Sequence, residues 1–231
     1  MTKKLDYGEF IQSGDLVFDV GANVGVKTSE YLALGATVIC FEPSSEALEV
    51  LRSRYGNNPR VVIEPVGLYD HEGTRRFFPA KVSGQSTFSR AYIQNSPWFP
   101  PEHWKTTYFV KVSTLDIMFK KWGVPRFLKV DVESSEVEVL SRMNWPVDAL
   151  SFEFHVGEQW KKGSTWCVNF LHDKFGYRKF NYIVNDTIDG VGIESNEYRF
   201  DDWVDKDTHL AALNEEPRHS GMNWGDVYAR I

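Results

Sequence analysis

Cysteine is scarce in this sequence: Cys40 and Cys167 are the only two in 231 residues. Cys40 falls in a strand-like apolar run and Cys167 in a helix-like one, so both read as core thiols and a disulfide scaffold is excluded. Free buried thiols fit a reducing compartment, and a cytoplasmic location is the expectation. Long apolar runs are missing as well. Nothing approaches the roughly 18 consecutive apolar residues of a membrane span. Met1-Thr2-Lys3-Lys4 leads into Leu5-Asp6-Tyr7-Gly8 with no apolar core, so no secretory signal is expected. Positive charge is also in deficit, with 26 Lys and Arg against 32 Asp and Glu for a formal charge of −6. That balance argues against nucleic acid as the main partner, because phosphate backbones demand a basic surface. Internal repeats and low-complexity linkers are absent, so residues 1–231 read as a single α/β domain, long enough for a full core.

What is present is organised around Leu16 to Gly25. Leu16 to Val20 is apolar except for Asp19, as in a strand buried on both faces. Gly21 and Gly25 follow, four residues apart, and then Thr28, Tyr31 and Leu32 fall on one face of a helix. Strand, glycine turn and helix make the first half of a nucleotide-binding βαβ unit. A second strand, Thr37 to Phe41, ends in Glu42, about 20 residues past the first glycine, where a ribose-holding carboxylate belongs. The turn is not the G-x-G-x-x-G of dinucleotide enzymes, since Asn23 takes the middle position. Asp19 would repel a pyrophosphate but pair with an ammonium group. Together Asp19 and Glu42 favour S-adenosylmethionine (SAM), which has an amino-acid end, a sulfonium and a ribose but no phosphate, over NAD.

The chain continues with a helix opened by Pro43-Ser44-Ser45, a third strand at Val61 to Val66, a turn at Asp70 to Gly73, and a returning strand at Thr74 to Phe78. Residues 79–109 break the repeat. They carry Gly84-Gln85-Ser86-Thr87, then Tyr92, Trp98, Phe99, Trp104 and Tyr108, and read as an irregular insertion that forms either an acceptor pocket or lid, or a self-packed excursion. Leu115, Met118, Phe119 and Trp122 make a core stripe on the next helix.

Two alternating segments then bring acids and a histidine together. Lys129, Asp131 and Glu133 face one way from the strand at 126–133; Ser151, Glu153 and His155 share a face of the strand Ala149 to His155. In a doubly wound sheet these strands are neighbours, with ligands at their carboxyl ends. His155, Glu153, Asp131 and Glu133 therefore form the candidate catalytic set, with His155 as general base, a carboxylate as the second choice, and divalent-metal assistance as the third. A salt-bridged network with Lys129 and Arg126 is the structural alternative. Ser135-x-x-Glu138 reads as a capping box. Residues 163–176 read as a helix capped by Ser164 or Thr165, Arg178 to Val184 as a strand, 185–222 as acidic and loop-rich, and Asp226 to Ile231 as a closing strand. His71, His103, His172, His209 and His219 read as surface residues.

These motifs in order resemble a known family. Phe18-Asp-Val-Gly-Ala-Asn-Val-Gly25, Phe41-Glu42-Pro43, Leu68-Tyr-Asp70 with Gly73, Thr114-Leu-Asp116, Lys129-Val-Asp-Val-Glu133 with Glu136, and Phe152-Glu-Phe-His155 are similar to those of FkbM-type methyltransferases. The resemblance implies a Rossmann-like, doubly wound seven-stranded sheet of order 3-2-1-4-5-7-6 with an antiparallel seventh strand. It implies SAM as cofactor and O-methylation of a hydroxyl on a sugar, glycan or natural product. The cofactor-binding set is Asp19, Gly21, Asn23, Gly25, Glu42, Val66 and Gly67. Ser134 stands where the family usually has glycine, and Pro65 where it has asparagine. An NAD-linked oxidoreductase and a non-catalytic SAM-binding module are the competing readings.

Overall fold

A computed structural model describes residues 3–95, 99–156, 158–188, 191–216 and 224–231. Trp98 of the insertion and His219 lie outside the described residues. The chain opens with a short 3-10 turn at Tyr7–Glu9, then β1 (Leu16–Val20), α1 (Val26–Ala33), β2 (Thr37–Phe41), α2 (Ser45–Tyr55), β3 (Val61–Glu64), β4 (Gly67–Leu68) and β5 (Gly73–Phe77). After α3 (Arg90–Asn95) come β6 (Tyr108–Ser113), α4 (Leu115–Trp122), β7 (Phe127–Val130), α5 (Glu136–Leu140), β8 (Ala149–His155) and α6 (Glu158–Phe175). The last elements are β9 (Lys179–Ile188), β10 (Val191–Ile193), α7 (Lys206–Glu215) and β11 (Trp224–Arg230).

The main sheet has the order β10-β9-β11-β8-β7-β1-β2-β3. Strands β3, β2, β1, β7 and β8 are parallel, and β11 is antiparallel to both β8 and β9. Counted in sheet order this is the expected 3-2-1-4-5-7-6 with its antiparallel seventh strand, extended by β10, which hairpins onto β9. The doubly wound character follows from alternation. Phe18 and Val20 point into one apolar layer with α4, α5, α6 and α7; Val17 points into the other with Tyr31 and Leu32 of α1 and Leu51 of α2. Beside the main sheet, β4, β6 and β5 make a separate three-stranded sheet, so the returning strand near Thr74 pairs with β6 and not with β3.

Several sequence expectations are corrected. Helix α6 begins at Glu158, not near residue 163, so Ser164 and Thr165 lie inside it and cap nothing. Ser135 makes no side-chain bond to the start of α5; the Glu136 carboxylate accepts from the Val132 N–H at 3.0 Å instead. Residues 185–222 are not simply loop: they carry the end of β9, the β10 strand and α7. His209 is buried, with its ring packed 5.5 Å from Phe180 and 5.3 Å from Tyr182. It sits on the inner face of α7, and an acidic stretch around it concealed that in the sequence. His103 is half-buried and stacks on Phe99 at 4.5 Å.

Candidate active site

The order of the sheet reverses at β1, between β2 and β7, and ligands of open α/β sheets bind outside the carboxyl ends of the strands there. A cleft of about 940 Å³ opens at that point. Its floor is the Gly21–Asn23 turn after β1; Glu42 after β2 and Asp131 after β7 form one rim, and Glu153 of β8 lies farther along. Residues 82–86 of the insertion, with Phe77, Phe88, Phe99 and His103, close the facing side. The insertion therefore forms a wall of the cleft.

The turn is built for close approach. Gly21 has φ +77°, and a Cβ there would run into the carbonyl oxygen of Asp131. Asn23 also takes a left-handed φ of 48°. Its N–H donates to Glu42 Oε2 at 2.8 Å, while the Ser44 N–H donates to Oε1 at 2.7 Å. Two backbone donors thus fix the Glu42 carboxyl at the rim. Burial raises its pKa to about 7, against the pull of those two donors.

Asp19 does not line the cleft. It is fully buried beneath the turn, accepting a bond from Thr28 Oγ1 at 2.6 Å. The register sets it directly beside Lys129, whose Nζ lies 3.5 Å from Asp19, 3.1 Å from Asp131 and 3.1 Å from the Gly21 carbonyl. Burial alone would lower the Lys129 pKa, but Asp131, Asp19 and Asp226 outweigh it and hold the ammonium charged. Lys129 thus ties the strand carboxylates to the glycine turn, as the salt-bridged alternative expected of it with Asp131, whereas Arg126 pairs with Asp148 away from the set. Gly25 is likewise away from the cleft; it takes a φ of +81°, and its missing Cβ leaves room for Tyr55 and Leu51 to pack against the start of α1. Among the remaining cofactor-set residues, Gly67 lines the cleft and Val66 packs against the core just before it.

The catalytic candidates divide. Asp131, Glu133 and Glu153 line the cleft, whereas His155 borders a side cavity of about 100 Å³ with Ser134, Trp160 and Cys167. Strand β7 ends at Val130, so strand alternation does not carry as far as Glu133. Glu133 instead arrives through a left-handed turn, with φ 56° at Glu133 and 73° at Ser134. That conformation is why glycine suits position 134. The Glu133 carboxylate accepts from the Tyr92 hydroxyl at 3.0 Å, and Tyr92 stacks on the His155 ring at 5.1 Å. Burial lowers the His155 pKa to about 4, with Asp131 opposing, so the ring is neutral near pH 7. Burial and the neighbouring carboxylates push Glu133 and Glu153 well above the usual carboxylate range. Tyr92 was visible in the sequence only as one aromatic of the insertion. Trp224, also on the cleft, gave no signal at all.

Among the described residues no helix is long and apolar enough to cross a membrane. The sequence profile of the methyltransferase FkbM domain matches residues 19–203. The hexuronic acid methyltransferase AglP of Haloferax volcanii is 26% identical over 155 residues, which cover 64% of this chain and 59% of that protein. The chain thus spans about three fifths of that relative's length. A crystal structure of a methyltransferase FkbM from Methylobacillus flagellatus KT superposes with a TM-score of 0.40 at 16% identity, covering 64% of this chain and 38% of the other. A precorrin-6y C5,15-methyltransferase from Geobacter metallireducens GS-15 superposes with a TM-score of 0.47 at 12% identity, covering 96% and 82%.

Proposed function

The chain belongs to the FkbM methyltransferase family, and from that premise we propose that it transfers a methyl group from SAM to a hydroxyl oxygen of a sugar or glycan. The observation that carries this reading is the Glu42 carboxylate, held at the cleft rim by the Asn23 and Ser44 N–H groups above a glycine turn. A carboxylate aimed in this way suits the paired hydroxyls of a ribose. The residues present fit the cofactor in two further respects. The side-chain oxygens of Asn23 and Gln85, both on the cleft, are buried without a hydrogen-bond partner. The cleft also carries Glu42, Asp131, Glu133, Glu153 and Glu194 against Lys27 and Lys129, and an acidic site favours a ligand bearing a sulfonium and an ammonium.

On this reading Gly21 and Asn23 hold the methionine end, Glu42 binds the ribose, and Gly67 with Val66 borders the adenine side. Asp19 and Gly25 act from beneath, the first by anchoring Lys129 and the second by letting α1 pack. SAM supplies an electrophilic methyl group on a sulfonium. The chain's contribution is to align the acceptor hydroxyl and to draw its proton toward the carboxylate wall of Asp131, Glu133 and Glu153, with His155 behind the two glutamates. Among the described residues the lysines of the cleft leave no unpaired ammonium for a free carboxylate, which favours a neutral hydroxyl as the acceptor. The two cleft lysines are already paired, Lys129 with Asp19 and Asp131, and Lys27 with Glu30 and Glu194. AglP's name points to a sugar-type acceptor for that relative, which supports a glycan acceptor here. Calorimetric titration with SAM or its demethylated product, S-adenosylhomocysteine, tests the reading. Saturable binding to one site is expected, and no binding of either compound removes the basis for it.

A further inference from the structure

We propose that Glu133, Glu153 and His155 form a binding site for a divalent transition-metal cation in the wall of the cleft. One ligand atom from each lies within 4.8 Å of the other two. His155 Nε2 is 3.8 Å from Glu133 Oε2 and 3.6 Å from Glu153 Oε2. Two acids near each other would carry no such conclusion; the imidazole decides it. His155 is only 5% exposed, and neither ring nitrogen has a hydrogen-bond partner. Glu153 Oε2, in a side chain only 7% exposed, has none either. Buried polar atoms left unpaired are costly, and here the unpaired atoms converge on one point. The nearby cation does not serve them, because Lys129 is engaged with Asp19, Asp131 and the Gly21 carbonyl.

The three donors are also held in place, as a metal site requires. The His155 ring stacks on Tyr92 with an interplanar angle of 23° and packs 5.6 Å from Trp160. Tyr92 donates to the Glu133 carboxylate, and Thr87 Oγ1 donates to the Glu133 carbonyl at 2.5 Å. The backbone at Glu133 and Ser134 is left-handed, a strained conformation for residues with a side chain. Such strain concentrates at ligand clamps.

Two carboxylates and one imidazole make a mixed oxygen and nitrogen set. That set suits Mn²⁺, Fe²⁺ or Zn²⁺ better than Mg²⁺ or Ca²⁺, which favour oxygen alone. Glu133 and Glu153 also line the large cleft, so the open coordination positions face it. There they would take oxygens of a polyhydroxylated acceptor, orienting it. Asp131 stays outside the triangle, paired with Lys129, as the remaining carboxylate of the wall. The orienting role rests on the proposed methyl transfer; the ion site does not.

Mn²⁺ titration of the full chain, followed by electron paramagnetic resonance without cofactor or acceptor, tests the site. One Mn²⁺ per chain is expected, displaced by Zn²⁺ far better than by Mg²⁺. Glu153→Gln and His155→Ala should each weaken binding by about 10-fold or more. His172→Ala, which removes the exposed His172–Asp173 pair, should leave it unchanged. Electron spin-echo spectra of the unaltered chain should show a coordinated imidazole nitrogen, a readout independent of whether the variants fold. No saturable binding, no imidazole signal, or equal affinity in folded variants overturns the site. Loss of Mn²⁺ binding with S-adenosylhomocysteine binding intact removes the ion and leaves methyl transfer standing; the reverse result removes methyl transfer and leaves the ion.

Discussion

Glu42 makes the proposed cofactor site testable by pH alone. Its carboxyl is buried and its pKa is raised to about 7, burial outweighing the Asn23 and Ser44 N–H donors. Lys129 favours its ionised form and Asp19 opposes it. On the proposed reading ribose hydroxyls donate to the ionised carboxylate, so binding should draw on that form and expel the proton. With a pKa near 7, about a tenth of the molecules are ionised at pH 6 and about nine tenths at pH 8, a roughly 10-fold rise in affinity, worth about 1.4 kcal/mol. Calorimetry of S-adenosylhomocysteine in two buffers of different ionisation enthalpy should show proton release near pH 7. Glu42→Gln keeps the shape, removes the charge and sets an amide N–H₂ against a backbone donor. It should weaken binding at pH 8 by about 1.5–3 kcal/mol, the range for a hydrogen bond to a charged group, and flatten the Glu42-linked part of the pH profile. The free ligand titrates identically against both proteins, so the difference between them isolates Glu42. A profile that is the same in the two proteins would refute the assignment.

The other predictions concern stability and are read by urea unfolding. Ser134→Gly should stabilise the fold by about 1 kcal/mol, because it relieves a left-handed φ of 73° and removes a buried, unpartnered hydroxyl, set against the added freedom of glycine in the unfolded chain. Lys129→Met should cost about 3–5 kcal/mol by leaving Asp19 and Asp131 without their cation, although methionine fills the space. His209→Phe should remove an acid sensitivity. Burial lowers the His209 pKa from 6.5 to about 3, so the unfolded chain binds more protons between those values and the native state loses up to about 1.4 kcal/mol per pH unit as pH falls through that window. The gap between this variant and the parent should widen from pH 7 to pH 4; a constant gap would show that His209 does not contribute to acid unfolding.

Much of the sheet was legible because its signals are local. The Leu16–Val20 run, the glycines after it and the acid after Phe41 each follow from short-range sterics and burial, whereas the strand order came only with the resemblance to the family. The cleft rim was legible for the same reason: Gly21, Asn23 and Glu42 lie where the spacing put them. Glu133 lines the cleft, but not through the alternation expected of it, which ends at Val130; a left-handed turn, invisible to a period-two pattern, delivers it. His155 was expected to face the acceptor, yet the aromatic packing of Tyr92 and Trp160, from the insertion and from α6, seats it behind the glutamates. The Tyr92 contact joins residues far apart in sequence and leaves no periodic trace. His209 was hidden likewise, because its burial depends on α7 docking against β9 within a stretch of polar composition.

The most direct test of the central claim follows the methyl group itself. The chain is incubated with methyl-labelled SAM and a panel of neutral sugars, uronic acids and glycans, and the labelled product is analysed by NMR and by treatment with mild base. The account expects label on a sugar oxygen as a base-stable methyl ether, with S-adenosylhomocysteine formed in equal amount. Label recovered as a base-labile ester or on nitrogen, or no transfer to any hydroxylated acceptor by protein that binds SAM, would contradict it.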